Sequence, residues 1–600
     1  MSRQLNAKAS QNSGRITVQN RCSWYSIGFG LGTLFIALTG QISTADERLP
    51  ASRIVDRWVY LATNFQGDGE PERSLALLRR AQAAGYNGIL LADYKFNVLD
   101  RVVDRYFKNM AQFRKAAAEL QMEIIPAVAP FGYSSGILAH DPNLAEELPV
   151  KDLPLRVKDH TATIERELAS PLPGGSLDSA KGDTPIKQDT AAGWDYQDGP
   201  GTVSFLDTKV KHSGKSSLRF EGFAIAEPKH GLGRLIHKIK GKPWRQYHAS
   251  VWIKTDDFVK ANEVRLMAIT PDGRTLSHSF VGVKPTQDWT LHHAVFNSLD
   301  SADFTFYCGV WGGTTGRIWF DEIQLEEVAF VNLLRRDDCP LVISDDAGNT
   351  YEEGRDYARL TDPKLGNSPW EGEYDVYHEP PVLSFPAGSR ITDTTKLRAS
   401  YFHTVTIYEG QVAAALNHPQ VFRIVDDQVR GVEKLLSPKS YMLSHDEIRV
   451  ANWGDAARRD KRTAGQALAD NMRQTVKLVR VINPHARLCV WNDMFDPHHN
   501  AVDGPYYLVN GSWQHSWDGL EPGITIVNWN SEKADASLAF FEKLGCPQVL
   551  AGYYDADPQS IVAWLAKAKN LKTVRGVMYT TWANRYDDLE TFAKAAWGDR

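Results

Sequence analysis

Three stretches near the start of the chain, 57–65, 86–94 and 122–131, are apolar almost throughout and are separated by helical patterns. A strand that is hydrophobic on both faces must be covered on both faces, which places it in a parallel sheet layered by helices. The first helical pattern puts Leu75, Leu78 and Ala81 on one stripe and stops at Gly85. After a long interruption the same rhythm resumes, with strands expected near residues 441, 487, 523, 547 and 576. Between the first two, Ala464, Leu468, Met472, Val476 and Val479 mark one helix face. Three strands and five make the eight that close a (β/α)8 barrel. The expected fold class is α/β: a TIM barrel interrupted after its third strand by an all-β sandwich of jelly-roll type.

The interruption divides into parts. Residues 52–150 form the first part of the barrel, and 151–192, rich in Pro, Gly, Ser, Asp and Lys, read as a linker or covering loop. Residues 193–328 show short alternating runs and turn signals without a convincing helix, the spacing of a β-sandwich. A small β extension is expected over 329–396, and the barrel returns over 397–600, with the strand-like run 397–405 leading back toward the third strand. The last sandwich strand, Ile318-Trp-Phe-Asp-Glu-Ile-Gln-Leu325, resembles that of jelly-roll carbohydrate-binding modules. The tryptophans of this region are core residues or sugar platforms, and the module braces the barrel or binds glycan.

Residues 1–45 stand apart. Arg3, Lys8, Arg15 and Arg21 precede an apolar run from Ser23 to Gly40, and Ser43-Thr44-Ala45 offers a small-residue cleavage site. That layout is a signal peptide, with an uncleaved membrane anchor as the alternative. The protein is expected to be exported, to the periplasm or outside the cell. Formal net charge −5 leaves no basic footprint, so nucleic acid is not an expected partner. Cys308, Cys339, Cys489 and Cys546 lack CxxC or zinc spacing and are expected as buried thiols, a Cys308–Cys339 bridge being the alternative.

Barrel chemistry sits at the C-terminal ends of the strands. Those ends carry Asp93, His445, Asp446, Glu447, Trp491, Asp493, Trp529, Tyr553, Tyr554, Asp555 and Trp582. The set combines acids with aromatics and has no metal cluster, phosphate loop or nucleophile elbow, so no metal and no cofactor is expected. Glycosidic cleavage uses this combination: an acid protonates the leaving oxygen, and flat rings hold the apolar face of a sugar. Asp446 and Glu447 are adjacent, which suits substrate assistance better than a facing acid and nucleophile. In that division Glu447 is the general acid/base and Asp446 orients a 2-acetamido group that itself attacks the anomeric carbon.

His445-Asp446-Glu447 at the fourth strand, Trp491-Asn492-Asp493 at the fifth, a tyrosine near the seventh and a tryptophan at the eighth resemble the β-N-acetylhexosaminidases of glycoside hydrolase family 20 and its relatives. The resemblance implies an oligosaccharide or polysaccharide substrate. It also implies a tyrosine hydroxyl, Tyr554 or its neighbour Tyr553, on the acetamido oxygen. Trp491, Trp529 and Trp582 become walls and Asp493 a partner for sugar hydroxyls. Two other readings stay open: a retaining glycosidase on a neutral sugar with Asp555 or Asp493 as nucleophile, and a glycan-binding surface protein without activity.

Overall fold

The computed structural model describes residues 48–165, 172–178, 189–223, 231–408, 410–454 and 461–598. The expected signal peptide or anchor lies outside the described residues, among which no helix is long and apolar enough to cross a membrane.

Eight parallel strands close a barrel in chain order. They are β1 (Asp56–Thr63), β2 (Gly88–Asp93), β3 (Glu123–Val128), β4 (Ser440–Leu443), β5 (Arg487–Trp491), β6 (Thr525–Asn528), β7 (Gln548–Tyr553) and β8 (Val574–Thr580). Closure is made by β8 against β1, Asp56 opposite Gly576 through Val59 opposite Tyr579. The outer layer comprises α1 (Glu70–Ala83), α2 (Asp104–Glu119), α3 (Pro419–Leu436), α4 (Ala464–Ile482), α5 (Ala534–Lys543), α6 (Ser560–Lys567) and α7 (Leu589–Trp597). Helix α4 begins with a reciprocal capping box between Thr463 and Gln466, which satisfies two backbone donors where the helix starts. Between β5 and β6 there is no α-helix but two short 3-10 turns and a two-residue strand, Leu508–Val509, paired with Val450–Ala451.

Alternation along each strand sends one set of side chains inward. Trp58, Leu90, Ile125, Met442, Cys489, Val527, Val549 and Met578 fill the barrel interior. At the N-terminal end, Arg487 closes the barrel floor. Its guanidinium reaches Asp56 at 2.9 Å and lies 4.9 Å above the Trp58 ring.

Chain 148–403 forms the insertion between β3 and β4. Two five-stranded antiparallel sheets, centred on Arg317–Val328 and Asp303–Val310 with their neighbours, make the sandwich. A third sheet of six strands corrects two expectations. Leu148–Lys158 and Thr161–Ile164, placed in a linker from their prolines, are paired strands, and Lys396–His403 joins them instead of the barrel. Pro149 and Pro154 are accommodated by a register shift between Ala399 and Tyr401 and by left-handed backbone at Asp152. Val150, Leu153, Leu155 and Val157 bury their side chains in a separate small core with Leu397, Ala399 and Tyr401. The four cysteines of the described residues are free and buried.

Trp58 is 1% exposed and central to the interior layer. Trp58→Ala is expected to lower barrel stability by about 3–5 kcal/mol, as for other buried aromatic truncations. Urea denaturation followed by far-UV circular dichroism checks it.

Candidate active site at the barrel mouth

Strand β4 ends at Leu443, and the chain turns sharply just beyond. His445 points outward, between Phe131 and Phe495, with its Nε2 2.8 Å from the Asn471 side chain of α4. It has no exposed surface, and burial pulls its pKa down to about 4. Asp446, next along the chain, lies close enough to Glu447 and Asp493 for their charges to interact. The residue as a whole keeps some exposed surface. Burial, and then the neighbouring Glu447 charge, push its carboxyl up to about 7.

Glu447 has φ +50°, a left-handed conformation that a side chain rarely adopts. The turn is held from three directions. Asp493 Oδ2 accepts the Glu447 amide at 2.9 Å, and Gln411 donates to its carbonyl at 2.8 Å. The carboxylate accepts the Tyr133 hydroxyl at 2.5 Å and pairs with Arg449 at 2.7 Å. Arg449 is itself buried, donates to Gln411 Oε1 at 2.7 Å, and stacks 4.1 Å from the Tyr408 ring and 5.2 Å from Tyr507. The Tyr408 amide in turn donates to His278 of the sandwich at 3.0 Å. The insertion therefore helps build the site. Asp493 lies beneath the turn, fully enclosed, with Asn500 donating to the same oxygen at 3.1 Å. Burial first, then Asp446 and Glu447, push its carboxyl well above the usual range.

A ring of aromatics also gathers at the strand ends. Tyr60 lies 5.1 Å from Trp582, which lies 5.8 Å from Trp491 and 5.9 Å from Tyr554; Tyr554 is 6.2 Å from Trp529. His499 packs edge-on against Trp529 at 4.2 Å. Consecutive left-handed residues, Tyr553, Tyr554 and Asp555, break the alternation at the end of β7. As a result Tyr554 joins the cage, while Tyr553 stacks on Tyr579 and donates to Asp588 outside the barrel.

Four of the residues expected at strand ends are thus engaged elsewhere. Besides His445 and Tyr553, Asp93 caps the 3-10 turn after β2, accepting the Lys95 amide at 2.9 Å and the Tyr106 hydroxyl at 3.0 Å. Asp555 accepts the Thr581 hydroxyl at 2.5 Å and the amides of Trp582 and Ala583 at 2.9 and 3.1 Å, a turn clamp that orients Trp582. The mouth gathers Asp446, Glu447, Trp491, Trp529, Tyr554 and Trp582, with Asp493 as the support below. Tyr60, Tyr133, Gln411 and Arg449 are not among the residues the sequence singles out. Gln411 lies in the loop before α3, which begins at Pro419. The one signal available was Gly132 beside Tyr133: a Cβ there would lie 2.1 Å from the Asp446 carbonyl oxygen, so the β3 loop touches the β4 turn at a glycine.

No family model matches the chain, and no curated protein matches it. Among solved structures it is similar to a glycoside hydrolase family 20 β-N-acetylglucosaminidase at 8% identity, covering 91% of this chain and 70% of that one, with a TM-score of 0.34. It is similar to a rhamnosidase from Novosphingobium sp. PP1Y at 11% identity, covering 90% of this chain and 56% of that one, with a TM-score of 0.30. A CBM4 structure matches 26% of this chain over 99% of its own length, at 17% identity and a TM-score of 0.19. Identities and TM-scores this low leave the chemistry to be read from the site's own side chains.

The Asp446 carboxyl should hold its proton to near neutrality. Infrared difference titration of the wild type against Asp446→Asn is expected to show a carboxylic C=O band vanishing around pH 7. A band vanishing near pH 4, the range of an exposed aspartate, contradicts the account.

Proposed function

We propose that this chain is a glycoside hydrolase acting on N-acetylhexosamine-containing glycans by a substrate-assisted, retaining mechanism. The observation that carries the reading is the pairing of Asp446 and Glu447 on one turn after β4, in a barrel whose other strand ends gather the cage of Tyr60, Trp491, Trp529, Tyr554 and Trp582. In this reading the cage takes the apolar face of the sugar and the N-acetyl methyl group. Asp446 accepts a hydrogen bond from the acetamido N–H, and the acetamido oxygen, steadied by Tyr554, attacks C1. Glu447 protonates the departing glycosidic oxygen, then takes a proton from the water that opens the cyclic intermediate. Tyr133 and Arg449 hold the Glu447 carboxylate in one orientation through both steps.

Two features weigh against a second carboxylate as nucleophile. Both Asp555 oxygens are taken up by the turn at Thr581–Ala583, and Asp493 lies under the Glu447 amide. A second reading exchanges the roles: the high pKa of Asp446 suits a proton donor, and the Arg449 partnership of Glu447 suits a carboxylate that stabilises positive charge. Export is part of the proposal, supported by the basic and apolar leader. An N-terminus near Asp46 in the exported protein checks it.

Leaving-group dependence separates the two assignments. Glu447→Gln is expected to lower kcat on p-nitrophenyl N-acetyl-β-glucosaminide by about 10² to 10⁴ and to retain far more activity on a 2,4-dinitrophenyl glycoside, which needs no acid. If Asp446→Asn is the variant rescued by that leaving group, the exchanged roles hold. Wild-type inactivity on aryl N-acetylglucosaminides and N-acetylgalactosaminides alike sinks both. Tyr133→Phe, which removes one hydrogen bond to Glu447, is expected to lower kcat about tenfold, measured in the same assay.

A further inference from the structure

Loop 366–375 of the insertion is a tight hairpin rather than a slack connection. The Gly372 amide donates to Gly366 at 2.8 Å, the Glu373 amide to Trp370 at 3.0 Å and the Ser368 amide to Glu373 at 3.1 Å. The hairpin is docked on the loops that follow β2 and β3. Glu371 pairs with Arg101 at 2.7 Å, and its carbonyl accepts the Tyr94 hydroxyl at 3.4 Å. Gly372, at φ +86°, sits so close to the turn after Tyr133 that a Cβ would lie 1.9 Å from the Ser135 carbonyl oxygen. At the tip stands Trp370, 71% exposed, the one exposed tryptophan among the described residues. Tyr94 and Tyr133, each 38% exposed, belong to the loops on which the hairpin is seated, and Tyr133 is bonded to Glu447.

An indole left in water adds no burial to the fold, whereas a flat apolar ring carried on a docked hairpin beside a site offers a face that a sugar ring can cover. Its surroundings, the Arg101–Glu371 pair and Lys95 lying 5.2 Å from the Tyr94 ring, supply donors and acceptors for hydroxyls around an apolar face. We infer that Trp370, with Tyr94 beside its hairpin, is an outer platform on which a further sugar of the glycan chain stacks while the terminal residue occupies the barrel mouth. The inference rests on the hydrolase reading and extends it: the insertion makes the enzyme prefer chains over single glycosides.

The test compares the β-1,4-linked tetramer of N-acetylglucosamine with p-nitrophenyl N-acetyl-β-glucosaminide. Trp370→Ala is expected to lower the ratio of kcat/KM for the tetramer to that for the aryl monosaccharide about tenfold, with Trp370→Phe restoring most of it. A ratio that does not move overturns the platform. Should the wild type cleave neither these probes nor the aryl N-acetylgalactosaminide, the hydrolase reading fails, and the platform is decided by calorimetric binding of the tetramer to Glu447→Gln with and without Trp370→Ala. Weaker binding on loss of the indole supports the platform. Equal binding, or none in either protein, overturns it.

Discussion

The site depends on one strained turn. Glu447 sits in the left-handed region at a strand end, a conformation that costs on the order of 1–3 kcal/mol and persists only when its surroundings over-determine it. Here they do so from separated parts of the chain: Asp493 after β5 holds the amide, Gln411 on the return from the insertion holds the carbonyl, and Tyr133 after β3 with Arg449 holds the carboxylate. Without the turn, Glu447 would follow strand parity away from Asp446. With it, Glu447 stays close enough to Asp446 for its charge to raise that carboxyl.

The same cluster is electrostatically tense. Asp446, Glu447 and Asp493 crowd together with one arginine among them, in a region from which water is largely excluded. Burial and mutual repulsion raise Asp446 and Asp493, while Arg449 supplies a counter-charge to Glu447. Arg449 in turn packs against both Tyr408 and Tyr507, and Tyr408 is tied to the sandwich strand carrying His278. The β insertion is therefore continuous with the C-terminal end of the barrel, through Arg449 on one side and the Trp370 hairpin on the other.

The barrel was legible because its strands are hydrophobic on both faces, a pattern that few other folds demand, and the place of the interruption was legible because the rhythm stops and restarts. The sheet formed by Leu148–Lys158 and Lys396–His403 was not: prolines dominate the first strand's appearance, and its partner lies more than two hundred residues away. At the mouth, lying at a strand end identified candidate residues but not their direction. Left-handed turns at Glu447 and Tyr553–Asp555, made by residues other than glycine, decide which side chains enter the barrel and leave no mark in the sequence. Asp93 and Asp555 look like catalytic carboxylates until their backbone donors are seen. Tyr133 and Arg449 are ordinary residues whose role exists only through the turn they hold.

The central claim is that the substrate's acetamido group, not a protein carboxylate, attacks the anomeric carbon. It is tested most directly by kcat/KM for aryl glycosides whose N-acetyl group carries zero, one, two or three fluorines. Fluorination drains electron density from the acetamido oxygen while leaving the leaving group untouched. The account predicts a steep, progressive fall in rate with each fluorine. A rate indifferent to fluorination would contradict it.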